Sequence, residues 1–326
     1  MSQRNDYKEF FKLVDQMKTG KKIKPEIEHN FIPDHGKPLA IIVDGILKEI
    51  YISQSFIKEI AFKWEERPDV CPWRIYNTWV LRIFKRDPSD AMLYGEYFET
   101  KILGRGARGK MLSLPGNKRT GTKRVAHERI DEAVIRFNKV KEETGIIVTN
   151  RNVQVRRETP WLDSSDEIKV YLHGTADIIS PFLYDYGGNI MEFDVAVLDT
   201  KLTSDRDVCY QDKNKPWGSF CWGCPEKMDH LQGIFYSTLF ELPFLYLIFD
   251  YRKDNPGWKP VAVNNIMLNP DNPEAKLRQK EFERGINWTV ETIKGYYATG
   301  WPKCPGDWCL KCPVLTCEFK NKMQTV

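Results

Sequence analysis

Two short segments carry residue types suited to phosphate chemistry: Gly174-Thr175-Ala176-Asp177 and Asp199-Thr200-Lys201. An acidic-x-basic triplet means nothing alone. With 45 acidic and 49 basic residues in 326 positions, about seven arise by chance. Context gives this one weight. Val195-Ala196-Val197-Leu198 reads as a buried strand, and alternation sends Asp199 and Lys201 from its end on one face. Tyr171-Leu172 and Ile178-Ile179 embed Asp177 in apolar sequence. Two carboxylates in strand interiors need a partner, because burying an unpaired charge is costly. A divalent cation is one such partner; Lys201 alone is the other.

A helix containing Gly95, Glu96 and Glu99 offers a third carboxylate. Glu96 reads as a solvated helix residue. Glu99 adjoins Phe98 and lies one turn beyond Gly95, so it is expected to face the sheet, with Gly95 letting the helix approach closely. Gln232 and Tyr236 lie one turn apart on a further helix, beside the core stripe Leu231, Ile234, Phe235 and Leu239. A polar pair at that spacing is commonplace.

Metal ligation is the expectation for the C-terminal cysteines. Cys304, Cys309, Cys312 and Cys317 crowd together, and Cys-x2-Cys lets two thiolates reach one metal from a tight turn. All four could form a tetrahedral zinc site; an iron–sulfur cluster is the rival reading. Cys221-x2-Cys224, near Cys209 and His230, reads more simply as structural or free thiols. The Trp-rich stretch from Trp217 to Trp222 is expected to pack its own loop rather than stack on bases.

The elements that must position these groups follow from periodicity and punctuation. Leu39 to Val43 and Ile50 to Ile52, around Asp44-Gly45, read as a hairpin, and Phe56 to Trp64 as a helix. Cys71-Pro72-Trp73 opens an apolar-periodic segment through Tyr76, Val80 and Ile83. Pro88-Ser89-Asp90 starts a helix through Tyr94, Tyr97 and Phe98, and His127 to Thr144 forms another that Gly145 ends. Strands are expected at 146–149, 154–157, 169–179, 192–202, 244–251 and 261–268, and helices at 229–240 and 272–299. The last has Leu277, Phe282, Ile286, Val290, Ile293 and Tyr297 on one stripe. This order fits an α/β sheet flanked by helices.

Between these elements, Lys101 to Ala126 holds eight Lys or Arg residues, no acidic residue and several glycines. Such a segment reads as a basic loop whose Lys118, Arg119, Lys123 and Arg124 could contact phosphates, or as a merely solvated surface loop. The net charge of +4 is too mild to identify a nucleic-acid binder. No apolar run is long enough to cross a bilayer, and the N-terminus has no apolar signal core, so a cytoplasmic location without membrane contact is expected. Eight cysteines in that compartment do not read as disulfide partners, because it keeps thiols reduced.

Glu99, the Gly-x-x-Asp ending at Asp177, Asp199-x-Lys201 and Gln232-x-x-x-Tyr236 occur in the order found in RecB-like PD-(D/E)XK nucleases. The chain resembles that family from Gly95 to Tyr236. With its cysteines it is similar to the iron–sulfur members, the CRISPR-associated RecB-like exonucleases and AddB nuclease domains. It departs by carrying Glu99 where many relatives use His, Asp199 where Glu is commoner, and a last cysteine spacing one residue shorter than usual.

The resemblance implies an α/β, restriction-endonuclease-like core with a mixed central sheet flanked by helices. It divides the chain into an N-terminal hairpin and helical region (1–88), a nuclease core (89–270) and a Cys-rich metal-bound C-terminal lobe (271–326). Glu99, Asp177, Asp199 and the Thr200 carbonyl would hold Mg²⁺ or Mn²⁺, with Lys201 acting on the attacking water and the transition-state charge. Gln232 and Tyr236 would position DNA. Cys71 would join Cys309, Cys312 and Cys317 on a 4Fe–4S cluster, whereas Cys304 would take that place at a structural Zn²⁺. The implied activity is exonucleolytic, on DNA that is single-stranded or has free ends, and recombination, replication or CRISPR-type protein partners are compatible with it. An endonuclease of the same fold, acting on DNA or RNA, and a vestigial nucleic-acid-binding module are the alternatives.

Overall fold

Gly187 and Gly188, with φ of 59° and 91°, make the tight turn that joins the two longest strands. A two-residue connection with both residues left-handed matches strand twist, and Asp185 Oδ1 accepts from the Gly188 amide at 2.8 Å. The hairpin therefore runs further than the apolar pattern predicts. Its strands, β4 and β5, span Lys169–Tyr186 and Asn189–Thr203. The computed structural model describes residues 39–43, 46–60, 71–81, 89–104, 125–161, 168–207, 222 and 228–303. All belong to one unit, Gly36–Val326.

In chain order the strands are β1 (Ala40–Val43), β2 (Ile46–Ile52), β3 (Val153–Pro160), β4, β5, β6 (Phe244–Asp250) and β7 (Trp258–Ala262). They form a seven-stranded mixed sheet in the order β1-β2-β4-β5-β6-β7, with β3 paired to β4 off this path. β2 runs parallel to β4 and β5 parallel to β6, while the other pairs are antiparallel. The parallel β5–β6 step needs a crossover, and the helix His230–Phe240 lies in it.

The helices are α1 (Gln54–Ile60), α2 (Pro72–Ile75, continued by a wider turn over Tyr76–Val80), α3 (Asp90–Leu103), α4 (Val125–Thr144), α5 (His230–Phe240) and α6 (Pro273–Thr299). Ser89, Asp229 and Asn272 cap α3, α5 and α6 through side-chain oxygens, and Gly104, Gly145 and Gly300 follow α3, α4 and α6 with positive φ. α3 and α4 cover one face of the sheet. There Phe98, Ile130 and Phe137 pack with Ile178, Leu198, Leu245, Leu247 and Phe249. On the other side of β6, Phe244 meets Tyr236 of α5, and Phe235 of α5 meets Phe282 of α6. Every residue of β6 is buried, as expected of a strand covered on both faces.

Four expectations need correction. Residues 146–149 form no strand, because Ser180 Oγ accepts from the Ile147 amide and the Asn152 carboxamide clamps Ile147 and Thr149 locally. The strand expected at 261–268 begins earlier and stops at Ala262, where Asn265 Oδ1 accepts from the Met267 and Leu268 amides. Leu277 is exposed, and the buried stripe of α6 runs through Ala275, Gln279, Phe282, Ile286 and Ile293. A Cβ on Gly95 would meet nothing within 4 Å, so this glycine does not mediate a close approach. Trp64, Ile83 and Asp44-Gly45 lie outside the described residues.

Candidate active site

Pairing between β4 and β5 ends at Ile178 and Leu198. One step further, the same register sets Asp177 opposite Asp199. There the strands part company: β4 continues against β2 and β3, and β5 against β6. The two aspartates therefore stand at the opening of the gap. Thr200 closes its near side, donating to Asp177 Oδ2 from its amide (3.0 Å) and its hydroxyl (3.2 Å). Asp199 is 6 % exposed and ion-paired to Lys201 two residues on, as strand alternation requires.

Glu99 reaches this site from α3. Gln154 Nε2 donates to Glu99 Oε1 at 2.6 Å. Gln154 is held in the left-handed region (φ 51°) at the β3 position that the β3–β4 register sets opposite Asp177. A non-glycine residue there is strained, so the site retains an unfavourable backbone.

On the α5 side, Gln232 Nε2 donates to Asp199 Oδ2. Tyr236 hydrogen-bonds the backbone of Thr175 and stacks on Phe240 and Phe244. The helix comes this close because residue 174 lacks a side chain. A Cβ on Gly174 would lie 3.0 Å from Leu239 Cδ2 and 3.1 Å from Tyr236 Cε1.

Charge is poorly balanced here. Burial, then the charge of Asp199, pushes the Glu99 carboxyl up to about 7. Burial and Glu99 do the same to Asp177, and burial raises Asp199 to about 7 against the pull of Lys201. Burial alone would lower Lys201, but Asp199 and then Asp177 outweigh it and hold the ammonium above its ordinary value.

An oxygen-seeking divalent cation suits this donor set, since it would let all three acids ionise together. Among the described residues, no group of three or more His, Cys, Asp or Glu side chains is already gathered so as to hold an ion. Gln154 holds Glu99, and Lys201 and Gln232 hold Asp199, so these bonds must yield for a cation to enter.

Sequence reasoning passed over three neighbours. Tyr246 pairs with Asp199 across the β5–β6 ladder, and Lys201 Nζ lies 5.7 Å from its ring centre. Lys58 of α1 is ion-paired to Asp229, the cap of α5. Gln154 is the third. None of the three carried a signal: a lysine on a short helix, a tyrosine in an apolar strand and a glutamine opening a strand look ordinary in sequence.

Lys118, Arg119, Lys123 and Arg124 lie outside the described residues, as do Cys304, Cys309, Cys312, Cys317, Cys209, Cys221 and Cys224. Cys71 is buried at the N-terminus of α2. Trp222 packs edge-on against Tyr246 of β6, and the rest of the Trp-rich stretch lies outside the described residues. No helix among the described residues is long and apolar enough to cross a membrane.

No protein-family profile matches the chain, and no curated protein does. Among solved structures it is similar to a "Putative exonuclease" from Eubacterium rectale, at 15% identity and a TM-score of 0.47 over 74% of this chain and 82% of that one. It is also similar to SSO0001, at 13% identity and a TM-score of 0.31 over 97% of each chain. Both likenesses are weak.

Proposed function

We propose that this chain is a metal-dependent nuclease with a PD-(D/E)XK core that hydrolyses DNA phosphodiester bonds. The observation that carries the reading is that Asp177 of β4 and Asp199 of β5 face each other at the mouth of the gap, within electrostatic reach of Glu99 of α3, with Lys201 paired to Asp199. Such an acid-rich site, shielded from solvent, would be relieved of like-charge repulsion by a cation.

A divalent cation held by Glu99, Asp177, Asp199 and the Thr200 carbonyl would supply Lewis-acid charge at the scissile phosphate. Lys201, paired to Asp199, would position or deprotonate the attacking water and balance charge on the phosphorane-like transition state. Gln232 orients Asp199, and Tyr236 fixes α5 against β4 beside the site. Water adds to phosphorus and one P–O ester bond breaks, leaving a phosphomonoester and an alcohol. The preference for chain ends over internal bonds rests on the family resemblance.

End-labelled single- and double-stranded DNA, incubated with Mg²⁺ or Mn²⁺ beside Asp199→Ala and Lys201→Ala, tests the reading. Cleavage by the wild type that both variants lose would support it, and the fate of the label gives the polarity. A folded protein that cuts nothing with either metal would leave a binding module. Nicking of closed circular DNA would favour an endonuclease.

We also propose that Cys71, Cys309, Cys312 and Cys317 bind a 4Fe–4S cluster. What supports this is the packing of residues next to Cys71 against the segment leading into Cys304. The Trp73 amide donates to the Pro302 carbonyl at 3.3 Å, Tyr76 and Trp301 have ring centres 5.3 Å apart, and Lys303 Nζ lies 5.3 Å from the Trp73 ring. Such a cluster would act as a staple on the fold. Iron, sulfide and zinc assays on anaerobically purified wild type and Cys71→Ala decide it. Iron lost in the variant supports the cluster; zinc retained by both points to the Cys304 site instead.

A further inference from the structure

A chain of contacts runs from outside the candidate site to Asp199. The Lys58 ammonium pairs with Asp229 Oδ2, and Asp229 Oδ1 accepts from the Gln232 amide at 3.2 Å, capping α5. The Asp229 carbonyl accepts from the Tyr246 hydroxyl at 2.8 Å, and that hydroxyl lies 3.4 Å from Gln232 Oε1. With Oε1 turned to Tyr246, the Gln232 carboxamide presents its Nε2 to Asp199. Asp229 is 5 % exposed and Tyr246 fully buried, so the linkage from Asp229 onward is shielded from water, with Lys58 partly exposed at its outer end. Lys58 itself is carried on α1, whose Phe56, Ile57 and Ile60 are buried and which packs on α5 and α6.

We propose that Lys58 is a positioning residue for the nuclease site: acting through Asp229, it fixes the first turn of α5 and thereby aims Gln232 at Asp199. The proposal rests on the nuclease reading, and it adds a residue from the N-terminal part of the chain to the machinery. Losing the ammonium leaves Asp229 buried beside Asp199 without its cation, and the carboxylate is then free to leave its capping geometry. Partners that orient ligating groups typically change metal affinity or activity by about 10- to 100-fold when removed.

Lys58→Met, Lys58→Arg, Asp229→Asn and the Lys58→Met/Asp229→Asn double variant test it in the full-length protein. Circular dichroism first establishes that each folds. On a fluorescein-labelled single-stranded oligodeoxynucleotide, Lys58→Met is expected to lower kcat about tenfold with KM changed less than about twofold. Lys58→Arg should restore most of the loss, and the double variant should be no worse than the poorer single one. Mn²⁺ titration by calorimetry should show the same non-additive pattern in Kd. A rise in KM at constant kcat would overturn the proposal, since Lys58 would then bind substrate phosphate directly. So would additive losses in Mn²⁺ affinity. If the wild type cuts no DNA, the nuclease reading fails by itself, and the calorimetric cycle still decides whether Lys58 acts through Asp229.

Discussion

Two carboxylate clusters sit on neighbouring strands of one sheet and are built in opposite ways. At the gap between β4 and β5, Glu99, Asp177, Asp199 and Asp229 face two lysines, Lys201 and Lys58. Where β5 and β6 end, Asp205, Asp207 and Asp250 face four cations, Arg136, Arg206, Arg252 and Lys259. Asp250 has no exposed surface, and it is answered by Arg206 Nη1 at 2.6 Å, Arg252 Nε at 3.1 Å and the Gly257 amide at 2.9 Å. The hydrogen bond from Arg252 holds the Asp207 carboxyl below its ordinary range, while Glu99, Asp177 and Asp199 in the first cluster are driven up to about 7. One cluster is saturated and ties strand ends together. The other is short of positive charge, which is the imbalance the proposed cation would relieve.

The sharpest way to break this comparison is to neutralise one acid in each cluster. Asp199→Asn should reduce DNA cleavage by at least about a hundredfold, because it removes a proposed cation ligand and the partner of Lys201. The metal-free variant should melt no lower than wild type, since an unfavourable buried charge has gone. Asp250→Asn should do the reverse. It leaves Arg206 and Arg252 without their buried counter-charge and costs about 3 kcal/mol of stability. Activity per folded molecule should persist. Thermal melts followed by circular dichroism, run beside the cleavage assay, read both. Equal stability losses in the two variants would mean that the clusters do not differ in kind.

Stability against pH gives a second contrast. Glu99, Asp177 and Asp199 have folded-state values near 7 against ordinary values near 4. A raised carboxyl means that the folded protein keeps its proton where the unfolded chain has lost it. Metal-free protein should therefore be most stable below about pH 4 as far as these groups are concerned, and lose that contribution as pH rises to about 7. Mn²⁺ should restore stability at pH 8, because a cation replaces the protons. Melts at pH 5 and pH 8, with and without Mn²⁺, check this. A metal-free protein that is equally stable at both would contradict the raised values.

Much of this arrangement was legible in the sequence, for identifiable reasons. Asp199 and Lys201 share a face because strand alternation is rigid, and the caps Ser89 and Asn272 announce their helices locally. The relation of Asp177 to Asp199 was readable only as two acids in two strands. Their meeting depends on the Gly187-Gly188 hairpin, whose length the apolar pattern understated. Gln154 and Lys58 were invisible, because each acts through a contact far away in sequence: Gln154 with Glu99, and Lys58 with Asp229. The balance of the second cluster was equally hidden, since charged residues from four segments look in sequence like solvated surface.

The two glycines singled out by the sequence separate packing from charge. Gly174→Ala would place a methyl group 3.0 Å from Leu239 and 3.1 Å from Tyr236, forcing α5 away from β4. Overpacking of this kind costs about 1–3 kcal/mol. The displaced Gln232 should also lower cleavage severalfold, measurable as kcat in the same oligonucleotide assay. Unchanged kcat would show that Asp199 does not depend on the α5 position.

Gly95→Ala should have the smallest effect, and of opposite sign. Gly95 lies inside α3, with nothing within 4 Å of a prospective Cβ and no positive φ to preserve. A methyl group there meets no neighbour, and alanine removes backbone freedom from the unfolded chain, a gain of about 0.5–1 kcal/mol. Because α3 carries Glu99 four residues later, a stiffer helix tests whether the acid-rich site needs α3 to yield when a cation enters. A higher melting temperature with unchanged Mn²⁺ affinity would place the required movement in the side chains of Glu99, Gln232 and Lys201. A higher melting temperature with weakened Mn²⁺ binding would place it in the α3 backbone.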